Sequence, residues 1–227
     1  MARKENDKRR EILQAAIRVF ARSGFFNSKV SDVARRAGVA DGTIYLYFRN
    51  KDDLLISLFD QIMSEFVTRA IETLATTRDV VEKLRRLAAL HLDSLGRNRE
   101  LAIVFQIELR HSSKFMSRFS RTRLADYFDL IRNVVREGQR TGRFRKELNE
   151  KIVTKCFFGA LDEMVTNWIL SPHPYNLGAL SDPVVDLFVD GLEKAGRQAP
   201  AARKPAPVSL RKIPGGGMTR RRNSRSS

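Results

Sequence analysis

The sequence is poor in cysteine and lacks long apolar runs. Cys156 is the only cysteine among 227 residues, which excludes a disulfide within the chain and suits a reducing cytoplasm. The longest apolar run, Leu101–Phe105, is far shorter than the roughly 18 residues of a membrane span. The charged start, "MARKENDKRREILQ", carries no apolar segment with a cleavage site, so we expect no signal peptide. These absences predict a cytoplasmic protein that does not insert into membranes.

Histidine and the signatures of enzyme sites are scarce as well. The three histidines, His91, His111 and His173, form no metal-spaced pair, and the chain has no GxSxG, P-loop or HExxH motif. Cys156 adjoins the apolar stripe of a predicted helix, where it fits as a small core residue. We therefore expect a protein that is not an enzyme, with no catalytic residue, no metal site and no cofactor.

Strand-like alternation of apolar and polar residues is absent, whereas helical spacing recurs along the chain. Apolar residues at helical spacing predict about nine helices, and glycines follow the ends of several of them. Ser28 is the expected N-cap of the second helix. The predicted fold class is therefore all-α. The predicted helices are 9–21, 29–37, 42–48, 51–74, 79–95, 99–111, 123–140, 150–170 and 181–195.

Positive charge is unevenly distributed along the chain. The formal net charge is +16, but residues 197–227 hold nine Lys and Arg and no Asp or Glu, which leaves +7 on residues 1–196. This tail is rich in Pro and Gly and has almost nothing able to form a core, so we expect it to be disordered. It either grips nucleic-acid phosphates non-specifically or is a solvated extension.

The stretch "GTIYLYF" at 42–48 concentrates aromatic residues behind a glycine. On a helical wheel Ile44 and Phe48 share one face, and we expect only these two to be core. The stretch follows a short helix across "GVADG", and both would pack on an amphipathic first helix. This is the arrangement of a helix-turn-helix motif, whose last helix enters the major groove of DNA.

The other side chains of this helix have the chemistry that DNA contact requires. Thr43, Tyr45 and Tyr47 offer hydroxyls to phosphates, and Lys51 just beyond offers a cation. Leu46 could lie on a thymine methyl. Taken alone, the spacing fits ordinary residues on a helix surface equally well.

Residues 15–59 resemble the N-terminal DNA-binding domain of TetR-type transcriptional regulators. The matching pieces, in order and at the family's spacing, are "SGF", "VSDVARRAGV", "GTIYLYF" and "NKDDLL". The resemblance implies that the segment Asp41–Leu46, which includes Gly42, approaches base edges. It also implies phosphate contacts from Ser28, Lys29, Thr43, Tyr47 and Lys51.

The start of the recognition helix departs from the family pattern. Members often have a small hydroxyl residue where this chain has Ala40, so Asp41 could be the N-cap instead. We expect the helix to begin at Ala40 or Asp41. A carboxylate at Asp41 would repel phosphates, and it is better placed as a cap or as an acceptor from a cytosine amino group.

The resemblance further implies a homodimer on a roughly palindromic operator of double-stranded DNA, and an effector that releases it. The helix at 150–170 has a wide apolar stripe and a second face with Phe158 and Gly159, and the final helix adds Val184, Leu187, Phe188 and Leu192. These surfaces suit a four-helix interface, or equally the core. The expected domains are a helix-turn-helix domain at 1–50, an effector-binding and dimerisation domain at 51–196, and the basic tail at 197–227.

A basic segment, residues 110–123, interleaves cations with apolar side chains and has no carboxylate. That mixture suits an amphipathic anion, with a phosphate at one end and hydrocarbon at the other, or a solvated loop between two helices. The cations and apolar residues of this segment are Arg110, Lys114, Phe115, Met116, Arg118, Phe119, Arg121 and Arg123.

Residues 10–192 are most similar to the TetR subgroup that represses fatty-acid-degradation operons and is released by long-chain acyl-CoA. The similarity is carried by "GVADGTIYLYFRNKDDLLISLF", "LAIVFQIELRHS" and "FFGALDEMVTNWIL". It implies an acyl tunnel enclosed by the helices between 79 and 170, with the CoA phosphates on the basic segment. The implied effector contacts are Gln106, Arg110, Phe115, Arg118, Phe119, Arg121, Tyr127, Asp162 and Thr166.

Two alternatives stay open at this point. Glu108, Arg110, Asp162 and Glu163 could instead form a buried ion-pair network that holds the domain together. The chain could also be a TetR-type regulator of an exporter or another pathway, with an apolar effector that lacks phosphates. The basic segment favours acyl-CoA, because a neutral or cationic drug would gain nothing from it.

Overall fold

The computed structural model of the protein describes residues 2–108, 110, 123–173 and 175–193, with side chains from Glu5 onward. Within these ranges it contains nine α-helices and no strand, which confirms the predicted all-α fold. The basic tail and residues 111–122 lie outside the described residues. The helices are α1 (Ala2–Ser23), α2 (Val30–Ala37), α3 (Asp41–Tyr47), α4 (Lys51–Ala75), α5 (Val80–Gly96), α6 (Arg99–Ile103), α7 (Arg123–Arg140), α8 (Glu150–Leu170) and α9 (Ser181–Leu192).

Four helix starts are fixed by side chains that pair otherwise unbonded backbone N–H groups. Asn50, Asp79, Asn98 and Asn149 each accept a hydrogen bond from the first turn of α4, α5, α6 and α8, respectively. Short Asn and Asp side chains suit this position because their oxygens reach the N–H groups two or three residues on. The observed bounds of α7 and α8 agree with the predicted helices at 123–140 and 150–170.

α1 packs against α2, and α2 packs against α3, as expected for a helix-turn-helix region. Ile44 and Phe48 are both buried, which confirms that they are the core residues of the "GTIYLYF" stretch. The guanidinium of Arg9, on α1, lies 5.3 Å from the centre of the Phe48 ring. Gly38 ends α2 at a φ of 67°, a left-handed conformation that glycine adopts without steric cost.

The structure corrects two expected helix caps. α2 has Lys29 as its N-cap, whereas Ser28 is buried one residue earlier with its hydroxyl directed back to the preceding turn. α3 begins at Asp41, so Ala40 is the N-cap and no side chain caps this helix. Asp41 is instead an exposed carboxylate in the first turn, where the positive end of the helix dipole is favourable to it.

The expected helix at 99–111 is divided into two parts. α6 ends at Ile103, and a π turn, Val104–Glu108, continues it. A π turn holds more residues per turn than an α-helix, so it rotates the directions of the side chains that follow. The nearly all-apolar composition of this segment hides that change of period in the sequence.

The larger helical region is built around α5, which packs against α4, α7, α8 and α9. Its inner face buries Leu84, Leu87, Ala88 and Leu92, and His91 lies on the same face. A 3-10 turn at Leu177–Leu180 leads into α9 beside α5. No helix in the described part of the chain is long and apolar enough to cross a membrane.

Close packing at one glycine yields a test of the fold. Gly138 of α7 lies against the buried ring of Phe144, and a Cβ at position 138 would overlap the ring carbons Cδ2 and Cε2. We expect Gly138→Ala to lower the free energy of unfolding by about 1–3 kcal/mol, because a packed ring must move. Urea unfolding followed by circular dichroism measures this change.

Gly42→Ala is the matched control, because a Cβ at this exposed helical position meets nothing within 4 Å. It should leave the free energy of unfolding unchanged or raise it by up to about 1 kcal/mol. Equal stabilities of the two variants would contradict the packing described at Gly138.

Candidate DNA-binding surface and internal cavity

The face of α3 opposite its buried side is open to solvent. Leu46 is 81% exposed and Tyr45 is 57% exposed, while Thr43 and Tyr47 beside them are half-buried. The structure therefore brings the four side chains together on one short helix, as the helical wheel predicts. Hydroxyl groups next to an apolar side chain provide for both phosphate and base-edge contacts. The other predicted DNA contacts that are exposed are Lys29, Asp41 and Gly42.

Ser28 and Lys51 are placed differently from the expectation. Ser28 is 3% exposed, and its hydroxyl donates to the carbonyls of Gly24 and Phe25 at 2.8 and 3.0 Å. The Lys51 ammonium donates to the carbonyls of Phe25 and Ser28 at 2.8 and 2.9 Å. Both side chains are drawn inward because the carbonyl groups between α1 and α2 need donors. In the free chain they hold this turn rather than face outward.

A cavity of about 310 Å³ lies among α4, α5, the α6 and π segment, α7 and α8. Its walls are mainly apolar, with Ile62, Phe66, Leu90, Leu124 and Phe158 among the lining residues. Mainly apolar cavities with a few polar groups are the usual form of small-molecule sites. The described residues thus enclose a site for a ligand with a hydrocarbon part.

Four of the nine predicted effector contacts line this cavity, namely Gln106, Arg110, Tyr127 and Asp162. Thr166 is not among the lining residues, but its hydroxyl donates to Gln106 Oε1 at 3.3 Å. The remaining four, Phe115, Arg118, Phe119 and Arg121, lie outside the described residues.

The rim of the cavity carries charged side chains that the sequence did not single out. Arg69 on α4 and Arg97 at the end of α5 are both exposed lining residues, as is Arg110. Glu65 and Asp93 lie at the same rim, and Asp93 pairs with Arg97 at 3.6 Å. In the sequence these residues look like the solvated faces of two separate helices, and only the packing of α4 against α5 brings them together.

A polar cluster around Asp162 closes one side of the cavity. The Asp162 carboxylate accepts a hydrogen bond from Gln106 Nε2 at 2.8 Å and is ion-paired with Arg110. Of the four-residue ion-pair network that was an alternative, only the pair Arg110 and Asp162 forms. Glu108 bonds instead to a backbone N–H of the α1–α2 turn, and Glu163 is exposed and accepts from Asn167.

His91 and Tyr127 form a neutral pair in the cavity wall. His91 Nδ1 lies 3.2 Å from the Tyr127 hydroxyl, and both residues are buried. Burial lowers the pKa of His91 to about 4, with a smaller opposing effect from Asp162, and burial also raises the pKa of Tyr127. His91 was not predicted as a lining residue, although a polar residue in the apolar stripe of α5 was a visible signal.

Two family models match the chain over most of its described length. Residues 12–58 match the family described as bacterial regulatory proteins, tetR family. Residues 59–191 match the family described as YsiA-like protein, C-terminal region. The boundary between the two matches falls inside α4.

Several known proteins are similar to this chain over nearly their whole length. A fatty acid metabolism regulator protein of Bacillus subtilis (strain 168) is 37% identical over 190 residues, covering 84% of this chain and 98% of that protein. The solved structure of the fatty acid degradation regulator FadR from Bacillus halodurans is 41% identical with a TM-score of 0.76, covering 81% and 98% of the two chains. The structure of FadR from Bacillus subtilis in complex with stearoyl-CoA is 38% identical, with the same TM-score and coverage.

The low pKa of buried His91 predicts a pH dependence of stability. The pKa is about 4 in the folded chain against an ordinary value of 6.5, so the unfolded chain binds the proton first as the pH falls. The contribution to stability is complete above pH 6.5 and is lost as the pH falls toward 4, a change on the order of 3 kcal/mol. In His91→Gln, the free energy of unfolding should depend less on pH in this range. Urea unfolding at several pH values measures this dependence.

His173→Gln is the control for this measurement, because His173 is exposed. It should leave the pH dependence of the wild-type chain unchanged. A His91→Gln variant with the wild-type slope between pH 6.5 and 4 would be inconsistent with a buried neutral imidazole.

Proposed function

Because the chain belongs to the tetR family of bacterial regulatory proteins, we propose that it represses genes of fatty-acid metabolism and is released from its operator by long-chain acyl-CoA. The observation that carries this proposal is the cavity, which joins apolar walls to a charged rim where Arg69, Arg97 and Arg110 lie beside Glu65 and Asp93. An acyl chain and the phosphates of CoA need these two environments in one site. One similar protein is a fatty acid metabolism regulator, and another is FadR from Bacillus subtilis, solved in complex with stearoyl-CoA.

In this proposal α3 enters the major groove. Tyr45 and Leu46, the most exposed side chains of α3, meet base edges, and Asp41 and Gly42 begin the helix beside them. Lys29, Thr43 and Tyr47 bind phosphates, which positions the helix on the duplex. Ser28 and Lys51 contribute indirectly, by holding the turn in front of α2.

Two copies of the chain pair through α8 and α9. Leu187 is 74% exposed, and Ile152 and Leu170 are exposed as well, while Phe188 and Met164 are only half-buried. Apolar residues open to solvent on two neighbouring helices suit a four-helix interface. A twofold dimer places its recognition helices on half-sites of a palindromic operator, about one helical turn of DNA apart.

The division of labour follows from this arrangement. Residues 1–50 form the DNA-binding domain, residues 51–196 bind the effector and the second subunit, and the basic tail at 197–227 follows. The protein acts in the cytoplasm by binding alone, with no catalytic step. Acyl-CoA favours an arrangement in which the two recognition helices no longer match successive major grooves.

Operator release gives the first test of this function. Fluorescence anisotropy on the duplex upstream of the protein's own gene would measure operator affinity with stearoyl-CoA, stearate or CoA added separately. Stearoyl-CoA should weaken operator binding at least about tenfold, and the two fragments much less, because each occupies only one of the two environments. Release by an uncharged apolar compound and by none of these three would instead favour a regulator of an exporter.

Arg69→Ala tests the rim within the same experiment. Removing one guanidinium should raise the stearoyl-CoA concentration needed for release about tenfold, as expected for one hydrogen bond to a charged group. Operator binding without ligand should stay as in the wild type. Arg86→Ala is the control, because Arg86 is an exposed residue of α5 that pairs with Glu82 and does not line the cavity.

Substitutions at different positions of the DNA-binding surface should affect operator binding in different ways. Lys29→Ala should weaken binding to all sequences alike and reduce the dependence on salt, because Lys29 meets phosphate. Leu46→Ala should change the preference among operator variants, with a cost of about 1 kcal/mol at the base pair it contacts. Anisotropy on a set of single-base operator variants at two salt concentrations separates these outcomes, and uniform weakening by both substitutions would contradict the assigned roles.

A further inference from the structure

The turn between α1 and α2 is fastened to the cavity wall by one side chain. Glu108, the last residue of the π turn, is 6% exposed. Its Oε2 accepts a hydrogen bond of 2.7 Å from the N–H of Phe25, 83 positions earlier in the chain. Burying a carboxylate is costly unless it has a hydrogen-bond partner. The bond between Glu108 and Phe25 therefore holds the π turn and the α1–α2 turn together.

The same turn is held from its other side by α4. The ammonium of Lys51, the first residue of α4, donates to the Phe25 carbonyl at 2.8 Å and lies 4.6 Å from the centre of the Phe25 ring. Phe25 therefore has its N–H on a carboxylate and its carbonyl on an ammonium. Both charged groups come from elements that also line the cavity, namely the π turn and α4.

Glu108 stands between residues that a ligand would meet. Phe105 and Gln106 precede it, Arg110 follows it, and all three line the cavity. Gln106 and Arg110 both bond to Asp162 on the facing helix α8. A ligand that separates them from Asp162 would therefore change the contacts that hold the π turn, of which Glu108 is the last residue.

We propose that Glu108 is a positioning residue that makes the arrangement of α2 and α3 depend on whether the cavity is filled. With the cavity empty, the carboxylate fixes Phe25 and with it the turn that leads into α2. With the cavity filled, the π turn shifts, the bond to Phe25 is lost, and the operator-matching arrangement is no longer favoured. The identity of the ligand rests on the proposed function, whereas the positioning of α2 by Glu108 does not.

Operator binding without any ligand tests the positioning role. In full-length protein, Glu108→Ala should weaken operator binding at least about fivefold, as if the cavity were already partly filled. Glu108→Gln keeps an oxygen that can accept from Phe25 and should stay within about threefold of the wild type. Glu163→Ala, which removes an exposed carboxylate of α8, is the control and should have no effect. A Glu108→Ala variant with native circular dichroism and wild-type operator affinity would overturn the proposal.

Stearoyl-CoA tests whether Glu108 couples ligand binding in the cavity to operator binding. Calorimetry on DNA-free protein should show that Glu108→Ala binds stearoyl-CoA at least as tightly as the wild type, because the ligand no longer has to break the bond to Phe25. The factor by which stearoyl-CoA weakens operator binding should nevertheless fall at least about fivefold in this variant. An unchanged factor overturns the coupling. A wild-type chain that does not bind stearoyl-CoA rejects the proposed effector, and operator affinity then decides the positioning role alone.

Amide hydrogen exchange at Phe25 in the unaltered chain decides the matter if Glu108→Ala does not fold. The amide should exchange slowly in the free protein, because it is buried and bonded to a carboxylate. Saturating stearoyl-CoA should accelerate its exchange at least about tenfold. Exchange that stays equally slow in protein saturated with stearoyl-CoA would overturn the loss of the Glu108–Phe25 bond.

Discussion

Backbone N–H and C=O groups beyond the end of a helix need hydrogen-bond partners when they are buried. This constraint determines how the N-terminal helices join the rest of the chain. At the end of α1, the Gly24 N–H bonds to the Phe20 carbonyl at 2.9 Å. The peptide groups around Phe25 are completed by side chains of Lys51 and Glu108. Since these partners belong to α4 and the π turn, α2 is oriented by residues outside the helix-turn-helix region. The DNA-binding surface and the cavity consequently belong to one compact unit, which extends to residue 194.

Elements governed by local pattern were predictable from the sequence, whereas groups placed by packing were not. The bounds of α7 and α8 follow from their amphipathic spacing and flanking residues, and the burial of Ile44 and Phe48 follows from the helical wheel. Lys51 looked like a surface cation because nothing in the sequence reveals the carbonyls that bind it. Arg69 and Arg97 look like parts of separate solvated faces until α4 and α5 pack together. Features carried by one helix were thus predictable from local spacing, and four effector contacts on different elements were predicted with the help of the family resemblance. The cations at the cavity rim become visible only when two helices pack together.

Asp162 acts as an internal counter-ion in the cavity. Its side chain is 15% exposed and pairs with Arg110, and Gln106 supplies a further hydrogen bond. Leaving a partly buried carboxylate unpaired is costly, so an anionic ligand that binds Arg110 competes with Asp162 and must leave it another partner. Under the proposed function, this competition weakens effector binding and in return ties it to a rearrangement of the π turn. Under that function, the pair Arg110 and Asp162 would affect both the affinity for the ligand and the response to it.

The single cysteine gives this chain a built-in reporter position. Cys156 was expected to be a small core residue, but it is exposed on α8, one of the two helices through which we propose that subunits pair. Because no other thiol exists in the sequence, a maleimide spin label attaches at one known site without any substitution. Two such labels in a twofold assembly form a symmetric ruler across the subunit boundary. Pulsed electron resonance could then follow the distance between the two α8 helices in the natural sequence, with and without DNA.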